Sequence, residues 1–122
     1  MAVSKEWTAG RLKSFITSTI RAGFRRYPPK YETLKEAFIE KKKNPASGKI
    51  ASFYRCNKCK KAYTAKNVQV DHIDPVVDPV VGFVNWEVFI KRLFCDKKNL
   101  QILCKNCHLI KTKIEKIKRK KS

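Results

Sequence analysis

Between residues 9 and 25 the apolar side chains Leu12, Phe15, Ile16, Ile20 and Phe24 recur at helical spacing, and Arg11, Lys13, Arg21 and Arg25 take the other face. That period predicts an amphipathic helix. The prolines of "YPPKY" at 27–31 end it, because proline lacks the amide donor and restricts the residue before it. Leu34, Ala37 and Phe38 share one side of a second predicted helix, so residues 9–43 read as helix, turn, helix. "KKKNPASGK" at 41–49 reads as a basic, turn-rich linker. It contains Gly48-Lys49, but the rest of a phosphate-binding P-loop is missing.

The pattern changes at residue 50. "IASFYRCNKCKKAYT" reads as an extended segment entering a tight Cys-x-x-Cys turn. In "NVQVDHI" Val68, Val70 and His72 alternate with Gln69 and Asp71, which predicts a strand. Residues 75–84 carry two prolines and a glycine and read as loop. Asn85 is a candidate N-cap for a helix with Trp86, Phe89, Ile90 and Leu93 on one face. "NLQILC" at 99–104 predicts a short strand. The chain then runs into a last helix with Ile110, Ile114 and Ile117 in line. The expected organisation is a basic helical extension and linker over residues 1–49, followed by an α+β domain over 50–122.

Charge narrows the partner. The chain has 122 residues with 29 Lys+Arg against 10 Asp+Glu, a formal net charge of +19. Such a field favours a polyanion, because lysine and arginine release counterions from phosphates, so nucleic acid is the expected partner. No apolar run approaches the ~20 residues a membrane helix needs. "MAVSKEWTAG" lacks the apolar core of a signal peptide, so an intracellular setting is expected. In a reducing compartment five cysteines argue for metal binding over disulfides.

Four of those cysteines form matched pairs, Cys56-x-x-Cys59 and Cys104-x-x-Cys107. Each turn aims two thiolates at one point, and two such turns complete a tetrahedral sulfur cage suited to zinc. With four protein ligands no coordination position stays open, so the expected role is structural. Cys95 remains over and reads as a small core residue.

The chain has two histidines, His72 and His108. Taken alone, His72 reads first as a structural histidine, and His108 as an unused neighbour of the sulfur cage. Phosphodiester hydrolysis offers another reading. It needs a base for water and a cation for the charge that develops. Adjacent strand residues face opposite ways, which separates Asp71 as a metal ligand from His72 as a base facing water. His108, fixed beside Cys107, is the obvious second ligand. Asp74 and Asp78 each precede proline and read as turn formers. Lys111 reads either as a group near the scissile bond or as a solvated helix lysine.

"VDHIDP" followed by "NLQILCKNCH", flanked by the two Cys-x-x-Cys pairs, resembles the zinc-stapled HNH endonucleases over about residues 50–115. The resemblance implies a ββα-metal (His-Me finger) core: two antiparallel strands and a helix around one divalent ion. His72 would be the general base, Asn99 the middle residue that braces the loop, and Asp71 and His108 the ligands of a catalytic ion. The colicin-like branch has histidine where Asp71 stands and a further histidine on the helix. With two protein ligands here, Mg²⁺ or Mn²⁺ suits the site better than zinc, other divalent ions remaining open. "FRRYPPKYETLKEAF" resembles segments that precede the nuclease unit in small phage HNH proteins. That implies a phage-encoded protein in the host cytoplasm, acting on DNA, with terminase or other packaging proteins as partners. The alternative is a non-catalytic zinc-finger protein that binds nucleic acid. It needs the same cysteines and charge, but not Asp71, His72, Asn99 and His108 together.

Overall fold

The computed structural model describes residues 7–121. The first six residues of the stretch read as lacking a signal peptide, and Ser122 of the basic tail, lie outside the described residues. Over the described residues the fold is mixed α+β, with four α-helices and two small sheets. Among the described residues no helix is long and apolar enough to cross a membrane.

Helix α1 (Ala9–Gly23) starts at Thr8, whose hydroxyl accepts from the Arg11 amide at 3.1 Å. Its expected apolar face is only partly used. Phe15 stays 58% exposed, and the C-terminal end docks instead, through Ile20 and Phe24. The "YPPKY" prolines both stop and start helices: Tyr27 is extended, and helix α2 (Pro28–Ala37) begins on Pro28. Proline is favoured there, since its missing N–H would have no helical partner anyway.

The second predicted helix ends sooner than expected. Residues Phe38–Lys43 form strand β1, not helix and linker, and pair antiparallel with β2 (Ile50–Arg55). The basic segment is therefore one arm and the turn of a β-hairpin. Gly48, at φ 74, and an Asn44–Lys49 backbone bond close that turn. The boundary expected at 49/50 falls at this hairpin turn. Strand β3 (Ala62–Thr64) adds to the other edge of β2.

The second sheet positions the chemistry. Strand β4 (Val68–His72) pairs antiparallel with β5 (Leu100–Cys104), in a register that sets Asp71 opposite Gln101 and His72 opposite Leu100. Between them lie the expected loop and helix α3 (Trp86–Leu93). Helix α4 (Lys105–Lys121) leaves β5 without a break. Its Ile110, Ile114 and Ile117 form the expected stripe, but each stays about half exposed.

Two small cores hold these parts. Val76, Phe89 and Leu93 are buried together, with Ile20 and Phe24 packed on them. Cys56, Leu103 and Cys104 form the other core, with Tyr63 against it. Asn85 caps α3 as expected, its Oδ1 accepting from the Val88 amide at 2.8 Å. Asn85→Ala is expected to lower stability by about 1 kcal/mol, seen as a lower thermal midpoint. An unchanged midpoint would show that the cap contributes nothing.

Candidate functional site

Cys56 directly follows β2 and Cys59 lies in the turn that comes next. Cys104 ends β5 and Cys107 sits in the first turn of α4. Their sulfurs all lie within 4.8 Å of one another. Four thiolates around a zinc at ~2.3 Å would stand about 3.8 Å apart, so small side-chain rotations bring this set to metal-ligand geometry. The cluster can hold a metal ion such as zinc. The Lys60 amide bonds the Cys56 carbonyl at 3.0 Å, with Lys60 itself at φ 63, and the Cys107 amide approaches the Cys104 sulfur at 3.4 Å. Both contacts tighten the turns that aim the sulfurs.

The four thiols differ in acidity with their surroundings. Burial pushes Cys56 and Cys104 up, but hydrogen bonds to the sulfurs outweigh it and leave both lowered: mainly backbone amides for Cys56, and the Cys107 amide with the Tyr63 hydroxyl and neighbouring thiols for Cys104. Cys59 is also lowered, first by the Tyr63 hydroxyl at 3.3 Å. Cys107, beside the Cys104 sulfur, is pushed up to about 12. Coordination requires thiolates, so a bound ion would release the protons that the thiols hold. Cys95 stands apart from the cluster. Partly buried, its thiol is pushed up by desolvation, and its carbonyl accepts from the Tyr27 hydroxyl at 2.8 Å.

Asp71 and His72, adjacent on β4, face opposite sides of the strand as the pleat requires. Asp71 turns toward α4 and is only 8% exposed. Its Oδ1 lies 3.7 Å from His108 Nε2, and its Oδ2 accepts from Lys111 at 2.9 Å and Gln101 at 3.0 Å. His72 turns toward α1 and α3. Its Nε2 is 2.8 Å from the Leu93 carbonyl, and its ring lies 4.8 Å from that of Phe24, centre to centre. A carbonyl only accepts, so Nε2 carries the hydrogen and Nδ1 keeps a lone pair. Burial, the largest cause, holds the His72 pKa below the ordinary imidazole value of 6.5.

Asn99 lies at the end of a short 3₁₀ turn just before β5. Its side chain clasps the backbone of Asp74 from both sides, accepting from the amide at 2.9 Å and donating to the carbonyl at 3.2 Å. Its own carbonyl accepts from the Ile73 amide at 2.8 Å. The chain leaving His72 is thereby tied to β5. The Asp74 side chain is given no partner by this arrangement. Asp78 does form a turn: its Oδ1 accepts from the Val80 and Val81 amides at 2.8 and 3.0 Å, which lower its pKa.

Asp71, His72 and His108 line one cleft of about 310 Å³, together with Lys111, Arg21 and Arg119. A larger cleft of about 500 Å³ lies between α2, β1 and β5. Its lining holds neither histidine nor any of the four clustered cysteines, so the smaller cleft is the candidate site. Three neighbours of Asp71 and His72 lay outside the sequence reading of the site. Gln101 is visible only once the β4–β5 register is known. Arg21 arrives from α1 and Phe24 from the cap that ends it, both distant in sequence. Lys111 was legible as a residue one turn beyond His108, and Glu115 one turn further pairs with it at 3.1 Å.

Asp71 Oδ1 and His108 Nε2 meet the geometric test for sharing an ion. Two ligands at ~2.1 Å from one cation stand about 3 to 4.2 Å apart. No family model, no curated protein and no solved structure matches this chain, so the function rests on the chemistry of this cleft.

Proposed function

We propose that the chain is a metal-dependent DNA endonuclease of the HNH type, with β4, β5 and α4 as its ββα-metal unit and the four cysteines as a structural zinc staple. One observation carries this reading: a polarised histidine on β4 and a carboxylate–imidazole pair joining β4 to α4 open onto the same basic cleft.

The Leu93 carbonyl holds Nε2–H, so Nδ1 keeps the lone pair that a proton acceptor needs. Burial favours the neutral ring, the form a base requires. Nδ1 takes a proton from the water that attacks phosphorus. Asn99 keeps the turn after His72 in place, so the ring is held by Leu93, Phe24 and its own backbone. Asp71 and His108 would hold a divalent ion, with Mg²⁺ or Mn²⁺ preferred for an oxygen-rich, water-completed shell. Bound there, the ion supplies charge neutralisation at the phosphate and the departing 3′-oxygen. Arg21 and Arg119 border the cleft and would grip neighbouring phosphates without reading bases. The expected products carry 5′-phosphate and 3′-hydroxyl ends. The resemblance to small phage HNH proteins extends the proposal to DNA packaging, with terminase as a partner.

The test is a supercoiled plasmid incubated with the zinc-loaded chain. Nicked or linear product is expected with Mg²⁺ or Mn²⁺, and none with a chelator that spares the zinc. A chain that binds the plasmid but leaves it intact with every divalent ion tried would instead be a non-catalytic zinc-finger protein.

A further inference from the structure

We infer that Lys111 is a resident counter-ion of Asp71 that a divalent ion must move aside, and that Glu115 is the seat it moves to. The inference rests on the reading of Asp71 and His108 as ion ligands.

Asp71 is a buried carboxylate, and a buried anion requires a cation or several donors. Lys111 meets that need from α4. Its Nζ lies 2.9 Å from Asp71 Oδ2 and 2.6 Å from the His72 carbonyl, and the side chain is 25% exposed. A lysine kept on a solvated helix face would not bind three partners across two elements. The third partner decides the direction of movement. Glu115 Oε1 stands 3.1 Å away, one helical turn beyond Lys111 along α4 and away from His108 in the chain. The ammonium can therefore release Asp71 and keep Glu115 by turning about its terminal bonds, with no shift of the backbone.

An ion between Asp71 Oδ1 and His108 Nε2 would share one carboxylate with this ammonium. The two cations repel, and both draw on a single negative charge. The ion-free site is thus neutralised internally, and ion binding is an exchange instead of an addition. Two consequences follow. The ion is held weakly without nucleic acid, and the move uncovers the His72 carbonyl beside the base. Lys111 acts through Asp71, so it is a positioning residue.

A brace would behave differently. If Lys111 only fixed the Asp71 rotamer for the ion, its removal would weaken ion binding. Exchange demands the opposite sign, and it demands opposite signs for Lys111 and Glu115.

The experiment is a titration of the zinc-loaded full chain with Mn²⁺, without nucleic acid, read by the free-ion electron paramagnetic resonance signal. Lys111→Met is expected to bind Mn²⁺ about tenfold tighter than wild type, and Lys111→Arg, which keeps the charge, to show no such gain. Glu115→Gln removes the second seat and is expected to bind about threefold weaker. Thermal midpoints of the variants check that each is folded, and Glu115→Gln keeps the test open should Lys111→Met fail to fold. Lys111→Met binding equally or more weakly overturns the exchange, as does Glu115→Gln binding equally or more tightly. Should wild-type binding fall below detection, Lys111→Met must bring it into range, or the inference fails. Failure of the underlying ligand reading looks different: Mn²⁺ would then bind equally well to Asp71→Asn and wild type.

Discussion

Replacing Cys56 with serine is expected to unfold the part of the chain that carries the cleft, with loss of a cooperative thermal transition and of most of the β-sheet signal in circular dichroism. Cys56 is fully buried, and the core around it contains little besides Leu103, Cys104 and the flanking Tyr63. A four-thiolate zinc contributes folding free energy directly, on the order of 10 kcal/mol or more in small domains. The whole stability of a chain this size is about 5–15 kcal/mol. Serine is a poor zinc ligand and leaves a hydroxyl in a dry site. The cluster also joins two sheets: Cys56 and Cys59 follow β2, while Cys104 and Cys107 join β5 to α4. Losing it frees the end of α4, and with it His108. Strong chelation of the wild type should reproduce the effect. A spectrum and melting curve unchanged by either treatment would show that the cluster is not a metal staple.

The cysteine pairs were legible because ligand spacing is a local signal, and the sulfurs do converge. The strand ending in Asp71-His72 was legible from its alternation, and Asn85 from the cap pattern. What failed was Phe38–Lys43. All six positions of β1 are exposed, so no alternation of apolar and polar residues marks it. Its existence comes from the partner strand: Lys43 pairs with Ile50 and Lys41 with Ser52. Phe38, in line with Leu34 and Ala37, extended the helical period past its true end, where Phe38 is already extended backbone. The face of α1 was over-read for a related reason. Periodicity names the residues able to face a core, but only the end bearing Ile20 and Phe24 reaches one.

The same limit shaped the reading of the cleft. Asp71, His72, Asn99 and His108 stand out by residue type. The groups that give them their properties do not. The Leu93 carbonyl that sets the His72 tautomer has no side-chain signature, and Phe24 comes from an element that the sequence suggested as an appendage. Gln101 and Lys111 are ordinary residues until the register and the helix face bring both to Asp71 Oδ2. Roles of single residues are readable one at a time, whereas tautomers and charge pairing belong to the assembled neighbourhood.

His72→Ala is expected to lower the rate of DNA cleavage by about 10²- to 10⁴-fold, the usual contribution of a positioned base. Binding of DNA should stay close to wild type, because the affinity of a chain with net charge +19 comes from lysines and arginines spread over its surface. The fold should survive. His72 is only partly buried, and losing its bond to the Leu93 carbonyl costs about 1–2 kcal/mol. His72→Gln, which can still donate to Leu93 but is no base, separates the two effects: it should recover stability and not rate. The pH profile gives an independent check. Only the neutral ring accepts a proton, and burial lowers the pKa, so the neutral form persists to lower pH than in an exposed histidine. The acidic limb of the wild-type rate should therefore fall below pH 6.5, and it should vanish from whatever residual rate His72→Gln retains. Cleavage that persists at the wild-type rate in both variants would remove His72 from the chemistry and return it to the role of a structural histidine.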